Sequence, residues 1–171
     1  MTSSLSVLPH KISTLVYAFN RIDELLMLQR RRSPNRGLWS PCGGKLRKNM
    51  GESPYQCAAR ETMEEIGLKV KPGDFHLTAV VSERAYEGAA HWLMFMFELK
   101  VRLKKLPARN REGIFEFVPI PKVICRAIPA TDRQILWPLF QKYRGSFFAV
   151  SIDCRAGGRL AWAVEERIVN L

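Results

Sequence analysis

Apolar positions along the chain change period several times, and each change predicts an element. Ile12 to Phe19 is apolar and β-favouring and predicts a strand. Glu24 to Gln29 predicts its hairpin or meander partner. The turn residues Ser33, Pro34, Asn35, Arg36 and Gly37 follow, then Leu38 and Trp39. Residues 53–66 shift to helical spacing: Ser53 and Pro54 suit a helix start, and Gly67 suits its stop. Phe75 to Ser82 and His91 to Lys100 predict strands around a loop from Glu83 to Ala90, and Gly113 to Ile120 predicts another short strand. Thr131 and Asp132 read as the cap of a second helix running to about Tyr143, with Ile135, Leu136, Leu139 and Phe140 on one face. Pro138 should kink or split that helix. The tail, Phe147 to Cys154 and Arg159 to Val164, alternates like a hairpin across Ala156, Gly157 and Gly158. Strands mixed with two helices predict an α/β fold, a sheet core with helices packed on it. With no linker, repeat or low-complexity segment in 171 residues, one domain over 1–171 is expected.

The most informative stretch lies inside the first helix. Glu61, Glu64 and Glu65 stand at i, i+3 and i+4 and so share one helical face. Three carboxylates this close repel, a cost that makes sense if a divalent cation sits among them. Hard oxygen ligands of this kind suit Mg²⁺ or Mn²⁺. Ala59, Thr62, Met63 and Ile66 would form the packing face, leaving the acids open. Upstream, Pro41, Cys42, Gly43, Gly44 and Lys45 form a glycine turn whose backbone can come close to a ligand. A glycine loop, a helix start and a carboxylate face together make a scaffold for a metal–phosphate site. An acidic cluster alone is usually a solvated helix face. The full set of Glu52, Arg60, Glu61, Glu64, Glu65 and Gly67 at fixed spacing has a chance probability of roughly 10⁻⁷ per start position, which favours a signature over a surface.

That segment, about residues 44–68, resembles the Nudix box, written G-x5-E-x7-R-E-U-x-E-E-x-G-U with U aliphatic. From Glu52 to Leu68 the spacing matches throughout, with Thr62 at an aliphatic position. Between Gly44 and Glu52, however, lie seven residues rather than five, and such a loop could shift the Gly44 carbonyl. The resemblance implies the family's α/β/α sandwich with a mixed β-sheet core and two main helices. It also implies cleavage of a nucleoside diphosphate linked to another moiety by water attack on the pyrophosphate. Candidate substrates are nucleoside triphosphates, nucleotide sugars and dinucleotide polyphosphates. By resemblance Glu61, Glu64 and Glu65 hold the metal with the Gly44 carbonyl, one glutamate doubling as base, while Arg60 and Glu52 orient the glutamate face.

The general base of the family often lies outside the box. Glu112 resembles the position where several relatives carry a further acidic ligand; Glu116, Glu83 and Glu87 are rivals. His76 and His91 read as packed or rim residues. Trp39, Tyr86 and Trp92 are candidates for stacking a base, with core packing the preferred role for Trp92. Two readings without hydrolysis stay open. One is a Nudix-fold nucleotide sensor or RNA-binding module, against which the intact glutamate set argues. The other is the isomerase branch that handles isopentenyl diphosphate, for which no Cys and Glu stand out.

Charge and cysteines narrow the setting. The chain carries a formal net charge of +11. No acidic residue occurs between Glu24 and Glu52, a window holding Arg30, Arg31, Arg32, Arg36, Lys45, Arg47 and Lys48. This basic window adjoins the glycine turn, so Arg30 and Lys45 are expected near substrate phosphates. Nucleic acid is a further polyanion that such charge would attract, but no zinc finger, RNP motif or repeat supports it. The four cysteines, at 42, 57, 125 and 154, form no zinc pattern and predict reduced thiols in a cytoplasmic protein, with Cys57 and Cys125 as small core residues. The apolar run Trp92 to Phe97 is far too short to span a membrane, and no secretory signal is evident. A homodimer is neither indicated nor excluded.

Overall fold

A computed structural model describes residues 7–33, 35–155 and 159–168. Two sheets carry the fold. The larger has the order β1-β5-β4-β7-β8 and the smaller β3-β2-β6. Their strands are β1 (His10–Tyr17), β2 (Glu24–Arg30), β3 (Trp39–Ser40), β4 (Phe75–Tyr86), β5 (Ala90–Leu99), β6 (Gly113–Pro119), β7 (Phe147–Asp153) and β8 (Ala161–Ile168). The pairs β1–β5 and β4–β7 are parallel and the others antiparallel, so the core sheet is mixed.

Alternation along the first strand divides the interior into two layers. Tyr17 and Phe19 face one way, into a cluster with Trp137, Leu139 and Phe140. There the Tyr17 and Phe140 rings meet edge-on, 4.4 Å between centroids. Val16 and Ala18 face the other way, into a cluster with Leu26, Leu28, Ala58 and Phe97. Each layer is covered by one helix, α1 (Pro54–Glu61) or α2 (Trp137–Lys142), which gives the expected sandwich.

Four expectations change. First, β2 is not the hairpin partner of β1. The two meet only near the turn, where Leu26 N–H donates to the Ala18 carbonyl at 2.8 Å. Asn20 explains the divergence: its side-chain oxygen accepts from the N–H of Ile22 and of Glu24, and Asp23 adopts a positive φ of 62°, so the chain turns sharply. One edge of β1 is filled by β5. The other receives the glycine loop: Thr14 N–H donates to the Gly44 carbonyl and Val16 N–H to the Cys42 carbonyl.

Second, α1 buries a different face. Cys57, Ala58 and Thr62 are fully buried, whereas Met63 is 51% exposed. Small Cys57 and Ala58 let the helix lie close to β1, where Thr14 Oγ1 sits 3.5 Å from Cys57 Sγ. This packing draws Glu61 and Glu65 inward and leaves only Glu64 of the three acids open. Past Glu61 the helix widens to a π-type turn over Thr62–Ile66 before Gly67 ends it at φ 75°. Third, Thr131 does not cap the second helix. It is already helical and makes no capping bond, and the helix is not split: a π-type turn over Asp132–Leu136 runs directly into α2, which takes Pro138 in its first turn. Fourth, Cys125 is exposed while Cys57 is buried, because Cys125 ends a short 3₁₀ turn, Ile120–Cys125, at the surface. The tail hairpin forms, β7 pairing with β8 through Ile168; its turn residues 156–158 lie outside the described residues.

The start of α1 matches its sequence. Ser53 Oγ accepts from Gln56 N–H at 3.2 Å, and Gln56 Oε1 accepts from Ser53 N–H at 2.9 Å. This capping box satisfies two otherwise free donors. Ser53→Ala should lower unfolding free energy by about 1 kcal/mol. Urea denaturation with an unchanged slope would show it; a loss within error would mean that tertiary packing alone holds this end.

Candidate active site

The site forms where the glycine loop, α1 and the mouth of the sheets converge. Gly43 has φ +146°, and a Cβ there would strike the Thr14 carbonyl. A Cβ on Gly44 would occupy the place of the Glu61 carboxylate. Only a pair lacking side chains lets the loop pass between β1 and the helix, and that passage brings the Gly44 backbone beside Glu61. The two additional loop residues do not disturb this. They are absorbed in a 3₁₀ turn at Lys48–Met50 that closes at Gly51, φ 64°, with Arg47 N–H donating to Glu52 at 2.8 Å.

Arg60 organises the acids. Its guanidinium grips Glu52 with two bonds of 2.7 and 2.9 Å, and also donates to Glu61 at 2.5 Å, Glu64 at 3.2 Å and the Lys45 carbonyl at 3.2 Å. Arg60 beside it holds the Glu52 carboxyl down at about 2. Glu64 also accepts from Arg47 at 3.0 Å. Glu65 is turned away from this cluster and accepts from Gly43 N–H at 3.1 Å. Burial pushes Glu65 up to about 7, opposed by that backbone bond and by the field of Arg30. Burial likewise raises Glu61, against the pull of Arg60.

Whether this set suits a divalent ion is a question of donor chemistry. Among the described residues no three acids, imidazoles or thiols converge as a ready-made cage, because Arg60 stands between Glu61, Glu64 and Glu52. The donors are nonetheless hard oxygens, and burial without full compensation leaves Glu61 and Glu65 poised to gain from a cation. The residues therefore fit Mg²⁺ or Mn²⁺.

The remaining candidates separate clearly. Glu112 pairs with Arg32 at 3.7 Å and Arg111 at 3.5 Å. Its neighbour Asn110, which no sequence signal singled out, donates to the Glu65 carbonyl at 2.9 Å and ties this loop to the end of the acidic helix. Glu116 pairs with Arg126, and Glu87 is exposed. His76 bonds the Ser146 carbonyl at 2.8 Å and His91 accepts from Ala85 N–H at 3.1 Å, both structural contacts. Trp39 is buried under Arg126. Trp92 is not a simple core residue: it lines the cleft with Lys11 and Lys45 over its ring.

That cleft, about 140 Å³, is lined by Arg30, Gly43, Gly44 and Lys45 together with Tyr86 and Trp92. Two acids misplaced by sequence reasoning line it as well. Glu83 lies within β4 rather than in a loop and is 4% exposed, and Asp132 sits in the second helix. The β4 strand continues to Tyr86 because Ala85, Glu87 and Gly88 take positive φ and tighten the connection. Burial pushes both carboxyls up to about 7, Glu83 being raised further by Asp132. The folded state thus binds more protons than the unfolded chain between about pH 4.5 and 7, so these groups remove stability as pH rises through that window. Glu83→Gln should raise the melting temperature at pH 8 and have little effect at pH 4.5, a difference that thermal denaturation at the two pH values would read; an equal shift at both would contradict the burial argument.

Comparison with known proteins agrees with this fold. The NUDIX domain family profile matches residues 9–142. The mutator MutT protein of Bacillus halodurans superposes with a TM-score of 0.71 at 22% identity, over 91% of this chain and 97% of that one. The dihydroneopterin triphosphate pyrophosphohydrolase of E. coli gives 0.60 at 20% identity, over 78% and 96%. The NUDIX domain of Shewanella oneidensis NrtR, solved with ADP ribose, gives 0.61 at 15% identity, over 83% and 92%. These structures share the fold. With the profile spanning most of the chain and its glutamate helix in place, the protein belongs to the Nudix hydrolase family.

Proposed function

We propose that this Nudix pyrophosphohydrolase cleaves the pyrophosphate of a nucleoside diphosphate linked to another moiety, with Mg²⁺ or Mn²⁺ held by Glu61, Glu64, Glu65 and the Gly44 carbonyl. The observation that carries the reading is the lining of one cleft, which Arg30, Lys45 and the Gly43 and Gly44 backbone share with Tyr86 and Trp92. Phosphates suit the first and a ring suits the second. A divalent ion bound there would neutralise phosphate oxygens and acidify the attacking water. Arg30 and Lys45 would steady charge moving to the leaving group. Arg60 would keep Glu52 ionised and the glutamates oriented, releasing part of its hold on Glu61 and Glu64 when a metal takes its place. Glu112 would act as an additional acid once freed from Arg32 and Arg111. Four free cysteines suit a reducing, cytoplasmic setting, and one domain would span residues 1–171. Among the described residues no helix is long and apolar enough to cross a membrane.

The test is phosphate and pyrophosphate release from a panel of nucleoside triphosphates, nucleotide sugars and dinucleotide polyphosphates with Mg²⁺ or Mn²⁺. Turnover should vanish with chelator and fall by about 10²-fold or more in Glu65→Gln. Tight binding of a panel member without turnover would replace this reading with a nucleotide sensor or RNA-binding module.

A second expectation concerns the loop. Gly44→Ala should fold, yet lose activity by about 10²-fold because the Glu61 carboxylate is displaced. Retention of full activity would show that the contact between Gly44 and Glu61 is dispensable.

A further inference from the structure

A second hollow, about 460 Å³, is lined by Gln29, Arg30, Arg31, Arg36, Gly37 and Ile114. That volume suits a nucleotide-sized group. Two basic segments meet there. No acidic residue stands between Glu24 and Glu52, and between Glu98 and Glu116 the one acid is Glu112. The pairing of β2 with β6 joins these segments, with Gln29 opposite Ile114 and Arg30 opposite Gly113. Gly113 permits the approach, since a Cβ there would strike the Gln29 carbonyl. One residue further on, Arg31 N–H donates to the Glu112 carbonyl at 2.9 Å. The Glu112 carboxylate is shared by Arg32 and Arg111, so it leaves the neighbourhood with excess positive charge. Arg31 and Arg36 are exposed, and among the described residues their side chains have no hydrogen-bond or ion-pair partner.

We propose that this hollow binds the backbone of single-stranded RNA. Charge selects a polyanion, because unpaired guanidiniums offer planar forks that match phosphate oxygens. Composition argues against a protein partner. Among the described residues Ile114, 39% exposed, is the one apolar side chain in the lining, whereas a protein interface needs an apolar, aromatic-rich centre. Gln29 separates RNA from other polyanions. Its Nε2 donates to the Gly37 carbonyl at 3.4 Å, which leaves Oε1 as an acceptor among donors. Inorganic polyphosphate and the backbone of DNA bring no donor to it, whereas each ribose brings a 2′-hydroxyl. A duplex carries its phosphates on a convex wall, while a lone chain can enter a hollow. No aromatic ring lines the hollow, so bases are not stacked there and base preference should be weak. Arg30 is common to this lining and to that of the cleft, so a chain held here lies beside the cleft. The inference stands whether or not the cleft hydrolyses.

Fluorescence anisotropy with the full chain tests this, using a 3′-labelled uridine oligonucleotide of about 12 units and its deoxyuridine counterpart. The RNA should bind about fivefold more tightly than the DNA, and its affinity should drop as salt rises. Arg31→Ala and Arg36→Ala should each weaken binding about tenfold and reduce the slope of log affinity against log salt by about 0.7. Gln29→Ala should bring RNA down to the affinity of DNA. Thermal denaturation of the three variants confirms that they are folded. No RNA binding at about 0.1 M salt, equal affinity of the parent protein for RNA and DNA, or a salt slope untouched by both arginine substitutions would overturn the inference. So would displacement of the RNA by inorganic polyphosphate at equal phosphate concentration. Pyrophosphate release from mononucleotides should be unchanged in all three variants. The outcomes stay separable from the hydrolase reading: turnover without RNA binding overturns this inference alone, and RNA binding without turnover overturns hydrolysis alone.

Discussion

Everything at the site depends on how closely the glycine loop approaches the first strand. Backbone bonds from Thr14 and Val16 to Gly44 and Cys42 fasten the loop to an edge that would otherwise take another strand. The approach is permitted because Gly43 and Gly44 carry nothing that would meet the Thr14 carbonyl or the Glu61 carboxylate. From this one constraint follow the Gly43 bond to Glu65, the Lys45 carbonyl that receives Arg60, and the placement of Lys45 over Trp92. The loop is thus a ruler laid between sheet and helix, and the carboxylates are measured from it.

The acids around it live under opposite electrostatic regimes. Glu52 is clamped by a bidentate guanidinium and stays ionised far below neutrality. Glu65, Glu83 and Asp132 have lost water without gaining an equivalent partner, so their carboxyls titrate near neutral pH. The first arrangement is the kind that supports a scaffold. The second is the kind found where a ligand completes the structure.

Much of this was legible in the sequence where the relevant physics is local. The cap at Ser53 and the stop at Gly67 are decided by residues a few positions apart, and each is found where the chain puts it, whereas Pro138 is accommodated without a break. The pairing of Arg60 with Glu52 was implied by the resemblance to the Nudix box. What escaped was non-local. β2 lost its expected partner because β5 and the glycine loop compete for the same edges. Glu83 and Asp132 stand 49 positions apart (132 − 83) and only the fold makes them neighbours, so one read as a loop acid and the other as a helix cap. Met63 looked like a core residue because apolarity was weighed without knowing which face the small residues Cys57 and Ala58 would bring against the strand.

The 3₁₀ turn at Lys48–Met50 has a bearing on how such proteins diversify. From Arg60 to Glu65 the signature residues sit on one helical stretch, where a single insertion would rotate every later side chain off its target. Between Gly44 and Glu52 the chain only has to bridge two anchored points, and closing a slightly longer gap changes the entropy little. Length is therefore free to drift in that one interval while every other spacing is frozen. A search pattern that insists on five residues there would pass over this chain, although its anchors stand where the fold needs them.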